Sequence, residues 1–378
     1  MASEMPFSIG IEGQSITRRD FASVIARAFA LSVGVPKIDS MGQPRGNSAA
    51  HDSLGRKVRL KKSIARVAPL GVHAQTMLIT LMPKYISSLA LNLEEDEQIY
   101  RDAGLSEVTE LPETGALSTP SAKGVAKKRI ASTSPDLMID AGLVRDGLEQ
   151  ELDSIQEASR VPCYFLDISF GKLPEAYRTL GKLLSCEERA EALAQIIERF
   201  YRLTAGLSSE AGTICRAFYA PRMNGCSARS GVTVQIDAMR HIGIESVDSP
   251  YQSETKSVDV RAVISEDPDL VIFDDTTMMA SLTMREGDAY SLWGQVPAVR
   301  AGNFVVSPAL MHSWFGSMVL VQSIGILWLA DAVWPNRRRY RLEDEARAFF
   351  EAFYGMTICD NDMTQLLNSC KDEGYAHE

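Results

Sequence analysis

No stretch of the chain reaches the roughly 18 consecutive apolar residues that a membrane-spanning helix needs. The nearest approach, Met318 to Trp334, is interrupted by Gln322, Ser323 and Asp331 and reads as a buried helix. Cysteine is sparse, six in 378 residues with no Cys-x-x-Cys pair, which excludes a disulfide scaffold and the common zinc modules. Only five histidines are present, so a bare metal site built from several of them is disfavoured. There is no G-x-G-x-x-G after the first strand, no Walker loop and no G-x-S-x-G, so the usual sequence marks of nucleotide-dependent enzymes and serine hydrolases are missing. Basic residues are outnumbered 39 to 49, for a net charge of −10. Such a chain is a poor non-specific binder of nucleic acid, because phosphate contact requires clustered Lys and Arg.

What is present is a globular composition, 45% apolar and 23% charged, at a length that suggests two domains. Near the amino end, Arg18-Arg19 precede a modest apolar segment from Ala22 to Val35, with small residues at Ser48-Ala49-Ala50. Paired arginines in that setting resemble a twin-arginine export signal; the alternative is an ordinary amphipathic helix with Arg27 within it. Residues 1–50 are read as this signal and its linker.

Beyond residue 51 short strand and helix patterns alternate, which predicts mostly parallel sheets with helices on both faces. Pro135-Asp136-Leu137 and Pro268-Asp269-Leu270 each follow a helical pattern and open an apolar strand, so the chain looks internally duplicated. Between the copies Ala190, Leu193, Ala194, Ile197, Phe200 and Tyr201 form one apolar stripe. Ser185 and Glu188 have capping-box spacing and Gly206 supplies a stop, so a helix of about 30 Å is predicted. The expected organisation is an N-terminal lobe over 51–170, a connecting helical segment over 171–207 and a C-terminal lobe over 208–378.

From about Asp52 to Leu367 the chain resembles the solute-binding proteins of ABC importers for iron-siderophores, haem and cobalamin. The resemblance rests on Asp52-Ser53-Leu54-Gly55-Arg56-Lys57-Val58 with Arg66-Val67, Leu70-Gly71, both Pro-Asp-Leu strands, Leu292-Trp293 with Val296-Pro297-Ala298-Val299, Trp314-Phe315 and Phe349–Gly355. It implies two Rossmann-like α/β lobes joined by one long rigid helix. It also implies a monomer without a cofactor of its own, exported to the periplasm or the cell-envelope exterior. A metal chelate captured between the lobes would be passed to a membrane permease. A tungstate- or molybdate-type oxyanion binder and a two-lobed Rossmann-like enzyme are the alternatives.

Ligands of parallel α/β lobes sit at the carboxyl ends of strands. The loops expected there carry His73, Thr114 and Arg145 in the first half, and Tyr219, Arg222, Met223, Met278, Met279, His312, Trp314 and Phe315 in the second. Aromatic and Met side chains suit a large, partly apolar ligand, and Arg222 suits a carboxylate or phosphate on it. His73 and His312 are either ligands of a bound metal complex or ordinary hydrogen-bonded histidines. After Trp314-Phe315 the resemblance breaks, since Gly316-Ser317 stand where relatives often carry an acid and an Arg. It breaks again seven residues before each repeated Pro. There relatives carry permease-docking glutamates, and this chain has Lys128 and Arg261. These are either docking residues for a permease of reversed charge or drifted surface charges.

Overall fold

The computed structural model describes residues 9–11, 14–16, 49–93, 97–115, 132–207, 215–220, 234–247, 260–337 and 339–368. The chain divides into two compact units, one of residues 31–199 with 348–357, the other of 200–347 with 1–30 and 358–378.

The 31–199 unit opens with an antiparallel hairpin, β1 (Ala49–His51) and β2 (Lys57–Arg59). Then come β3 (Val67–Pro69), α1 (Val72–Leu81), β4 (Leu137–Gly142), α2 (Leu148–Ser159), β5 (Cys163–Asp167) and α3 (Leu173–Leu184). Strands β3, β4 and β5 are parallel neighbours, with Val67 opposite Leu137 and Met138 opposite Cys163. Their runs of Val, Leu, Met, Ile and Phe are buried, as a parallel sheet covered on both faces requires. Between α1 and β4, residues 86–91 make only two isolated bridges among the described residues, Val67 to Ile86 and Leu89 to Glu113. The cause is Gln75 of α1, whose Oε1 accepts the N–H groups of Ala90 and Leu91 at 2.7 and 3.0 Å and takes them from the sheet.

The predicted long helix exists as α4 (Glu187–Thr204). Ser185 has φ +54° and closes α3, and the Cys186 N–H donates back to the Gly181 carbonyl. The two helices α3 and α4 meet there, held by the Arg178 fork to Glu191 and Glu198 at 2.7 and 2.6 Å. The boundary between units falls inside α4, between 199 and 200.

The 200–347 unit contains β6 (Cys215–Ala220), α5 (Val234–His241), β7 (Ile244–Ser246), α6 (Val260–Glu266), β8 (Leu270–Phe273), α7 (Met278–Met284) and β9 (Phe304–Val306). A small hairpin, β10 (Ala309–Leu310) with β11 (His312–Ser313), follows, then the buried α8 (Val319–Val333). The last long helix, α9 (Leu342–Tyr354), crosses back into the other unit between 347 and 348. The four sheet strands run parallel in the order β9-β8-β6-β7. Phe218, Phe273 and Trp293 fill the space against this sheet, with ring centroids 5.1 to 5.9 Å apart.

The duplication seen in sequence recurs in the hydrogen bonding. Asp136 Oδ2 accepts the N–H groups of Ala65 and Arg66, and Asp269 Oδ2 accepts that of Arg216 at 2.8 Å. Arg66 then donates to the Thr133 carbonyl and Arg216 to that of Glu266. The residues before the two prolines, Ser134 and Asp267, both adopt left-handed backbone at φ 48° and 45°. Each Pro-Asp therefore starts a central strand while its carboxylate clamps the strand beside it.

Candidate functional site

In an open parallel sheet the crevice for a ligand forms where successive connections leave in opposite directions. In the 31–199 unit that point lies between β3 and β4, because the Ile86 bridge flanks β3 on its outer side. Gly71, the N-cap of α1, and Asp140 face each other there; a methyl placed on Gly71 would lie 3.6 Å from Asp140 Oδ1. Burial pushes the Asp140 carboxyl up to about 6, opposed by the Ala141 N–H it accepts at 3.0 Å and helped upward by Glu151. The loop after β4 exposes Leu143 and Val144 at 39 and 52%, and the loop tied to α1 by Gln75 exposes Leu91 at 50%. Gln75, which ties Leu91 to the first turns of α1, keeps the Leu91 loop in place.

In the 200–347 unit the corresponding point lies between β6 and β8. The Tyr219 hydroxyl donates to Asp274 Oδ2 at 2.8 Å across it, and Phe315 meets the Tyr219 ring edge-on at 5.9 Å. Beyond β9, Ser307 fastens the next loop: its Oγ accepts from the Phe315 N–H at 2.8 Å and from the Ser313 hydroxyl at 3.0 Å. The turn at Met311, φ 65°, presents His312 from the β10–β11 hairpin. Burial pushes the His312 imidazole down to about 4, so it is neutral at pH 7 and suited to metal ligation.

The expected residues separate on these facts. Tyr219 and His312 lie on the strand-end face of their unit, and His73 occupies the first turn of α1 in the other. Arg145 is spent on Glu151 at 2.5 Å. Thr114 is 1% exposed and its hydroxyl donates to the Leu89 carbonyl at 3.0 Å, so it closes the loop rather than facing a ligand. Trp314 and Phe315 are both 0% exposed: they belong to the core, because the Ser307 clamp folds the loop inward over α8. Met278 is buried in the cluster of Phe273 and Trp293, and Met279 packs against it. Arg222, Met223 and Lys128 lie outside the described residues; Arg261 is exposed on α6. Asp140, Asp274 and Gln75 were missed as site residues, although Asp140 and the Asp274-Asp275 pair stand visibly at the ends of the repeated strands.

His312 carries a pH prediction. A histidine whose folded pKa, about 4, lies below its ordinary 6.5 binds fewer protons in the folded state, so stability falls as pH drops through that window. His241, also lowered by burial, adds to the same slope. Melting temperatures for His312→Gln should fall less steeply between pH 6.5 and 4 than for the native chain. Identical slopes would place His312 in water.

Two parallel α/β units, each offering polar groups at its switch point, define a protein built to bind a solute. Residues 95–310, more than half of the chain, match the family model for the periplasmic binding proteins, and the chain belongs to that family. Its fold is that of ABC-transporter solute-binding proteins. One from Sulfurospirillum deleyianum superposes with a TM-score of 0.68 at 20% identity, covering 85% of this chain and 99% of that one. The TroA-like periplasmic binding protein FepB of Veillonella parvula gives 0.63 at 16% identity, covering 82% and 97%. The molybdate-bound MolA of Haemophilus influenzae gives 0.61 at 15%, covering 82% and 99%. No curated protein matches the chain in sequence. Among the described residues no helix is long and apolar enough to cross a membrane.

Proposed function

We propose that this protein is an exported, monomeric binding protein that captures a chelated metal — an iron-siderophore, haem or corrinoid — and delivers it to an ABC permease, without catalysis of its own. The observation that carries this reading is the switch point of the 200–347 unit. Tyr219 and its partner Asp274 offer an aromatic face and an acceptor there, and the β10–β11 hairpin beyond β9 adds the neutral His312 as a metal ligand. His73 and Arg222 supply further contacts in this reading. An oxyanion such as molybdate fits less well, because the N-terminus of α1, the natural seat for an anion, already faces the Asp140 carboxylate. The route out is the twin-arginine pathway, read from Arg18-Arg19, with residues 1–50 as signal and linker.

Purified from its own host, the protein should carry the absorption band of a metal chelate, or acquire one on titration. Failure to bind ferric hydroxamate, ferric catecholate, haem and corrinoid alike would overturn the reading. Docking uses Lys128 and Arg261, whose positive charge calls for an acidic permease surface. The double change Lys128→Glu with Arg261→Glu should abolish uptake and leave chelate affinity intact. Each single change should cost little, since exposed pairs contribute roughly 0–1 kcal/mol. Normal uptake by the double variant would move docking elsewhere.

A further inference from the structure

We infer that Asp140 is the polar anchor of the ligand face on the 31–199 unit, and that it selects a ligand carrying a cationic or N–H-donating group beside an apolar body. The inference deepens the metal-chelate reading and rests on it.

Three observations converge on this residue. The first is position. Asp140 lies at the carboxyl end of β4, on the switch point with β3, beside the Gly71 N-cap of α1. The missing side chain at Gly71 leaves the carboxylate uncovered on that side, since even a methyl there would reach van der Waals distance of Oδ1.

The second is its hydrogen bonding. Among the described residues Asp140 accepts one hydrogen bond, from the Ala141 N–H, and no cation lies within ion-pair distance. The charges that face it are all committed elsewhere. Arg145 is paired to Glu151, and Arg56 to Asp52 and Asp153. Glu151 adds repulsion, and the Cys163 thiol beside it is pushed up by burial and stays neutral. A half-buried carboxylate without a cation is unfavourable by itself, and a donor or cation on a bound molecule relieves it.

The third is the surroundings. Of the four large apolar side chains exposed among the described residues, Leu143 and Val144 directly follow β4 and Leu91 lies on the loop tied to Gln75 of α1, while Met284 ends α7 in the other unit. Exposed apolar side chains on the loops that follow the strand carrying a polar group suit a ligand surface. Charge complementarity then fixes the kind of occupant: apolar where it meets the leucines, positive or donating where it meets Asp140. An anionic chelate would meet repulsion at this point.

The test uses matched probes on the full exported chain. One pair is a ferric linear trishydroxamate with a pendant ammonium and its N-acetylated, neutral form. The other is a zinc porphyrin bearing N-methylpyridinium groups and its sulfonated, anionic counterpart. Affinities come from fluorescence quenching, for the native protein and for Asp140→Asn. That variant is nearly isosteric and removes a charge that burial disfavours, so its melting temperature should hold or rise. In whichever scaffold binds, the cationic member should bind about tenfold tighter to the native protein, as expected for one charge-assisted hydrogen bond, and Asp140→Asn should erase the preference. Equal or stronger binding of the neutral or anionic member overturns the inference and leaves the chelate reading standing. So does a cationic preference that survives Asp140→Asn. If neither scaffold binds, the inference is overturned, and the chelate reading falls with it if ferric catecholate and corrinoid fail to bind as well.

Discussion

Gly325→Ala is expected to destabilise the 200–347 unit by more than about 3 kcal/mol, enough to threaten folding. Gly325 sits within α8, where Gly to Ala would ordinarily stabilise a helix by about 0.5–1 kcal/mol. Here the added Cβ would lie 1.9 Å from the Trp314 carbonyl oxygen and 2.6 Å from its carbon. Both are backbone atoms, so no side chain can swing aside. Nor can the loop retreat. The Trp314 N–H donates to the Pro308 carbonyl, the Phe315 N–H to Ser307, and the Gln235 amide to the Gly316 carbonyl at 2.6 Å. Urea unfolding measures the effect, and ligand binding should be lost in step with folding because the same loop presents His312. A neutral or stabilised variant would mean that α8 does not touch the Trp314 backbone.

That close approach also explains which parts of the molecule were legible in sequence. The duplicated Pro-Asp-Leu strands and the apolar stripe of α4 are local patterns, and both appear where the periodicity places them. The burial of Trp314 depends on a glycine eleven residues later and on Ser307 seven residues earlier, which no local pattern announces. Thr114 was expected on a ligand loop, but its hydroxyl is claimed by Leu89, 25 residues away. Ser185 matches a capping box in spacing, and its backbone also closes the helix before it. The pattern alone does not reveal that α3 ends there with a left-handed residue. Asp140 is the instructive case at the site. A carboxylate at the end of an apolar strand reads as a solvated strand terminus, and only the sheet order puts it on a switch point.

Arg56→Ala should destabilise the 31–199 unit by about 3–5 kcal/mol, the usual cost of leaving a buried charge without its partner. The motif Asp52 to Val58, which carried part of the family resemblance, is structural. Gly55 turns the chain at φ +79°, and Asp52 and Arg56 meet at 2.7 Å with side chains 0% and 5% exposed. Arg56 also donates to Asp153 at 2.8 Å and to the Cys163 carbonyl at 2.9 Å, on the edge strand β5. Asp52 in turn accepts the N–H groups of Leu54, Arg56 and Phe165. The Tyr164 hydroxyl adds a bond to the His51 carbonyl at 2.7 Å. The hairpin thereby fastens onto β5, which would otherwise be an open sheet edge. Burial works against the Arg56 charge, but its two carboxylate partners outweigh it and raise its pKa. Truncating Arg56 removes the cation and leaves the Asp52 carboxylate enclosed. Two further variants separate this from a loss of side-chain packing. Asp153→Ala should cost under about 1 kcal/mol, because its carboxylate is 52% exposed and screened by water. The double change Asp52→Asn with Arg56→Met should cost less than Arg56→Ala alone, since replacing both members of a buried pair is often close to neutral. Urea denaturation of the three variants gives the comparison. A cost for Arg56→Ala near that of Asp153→Ala would show that the hairpin is not held by this pair.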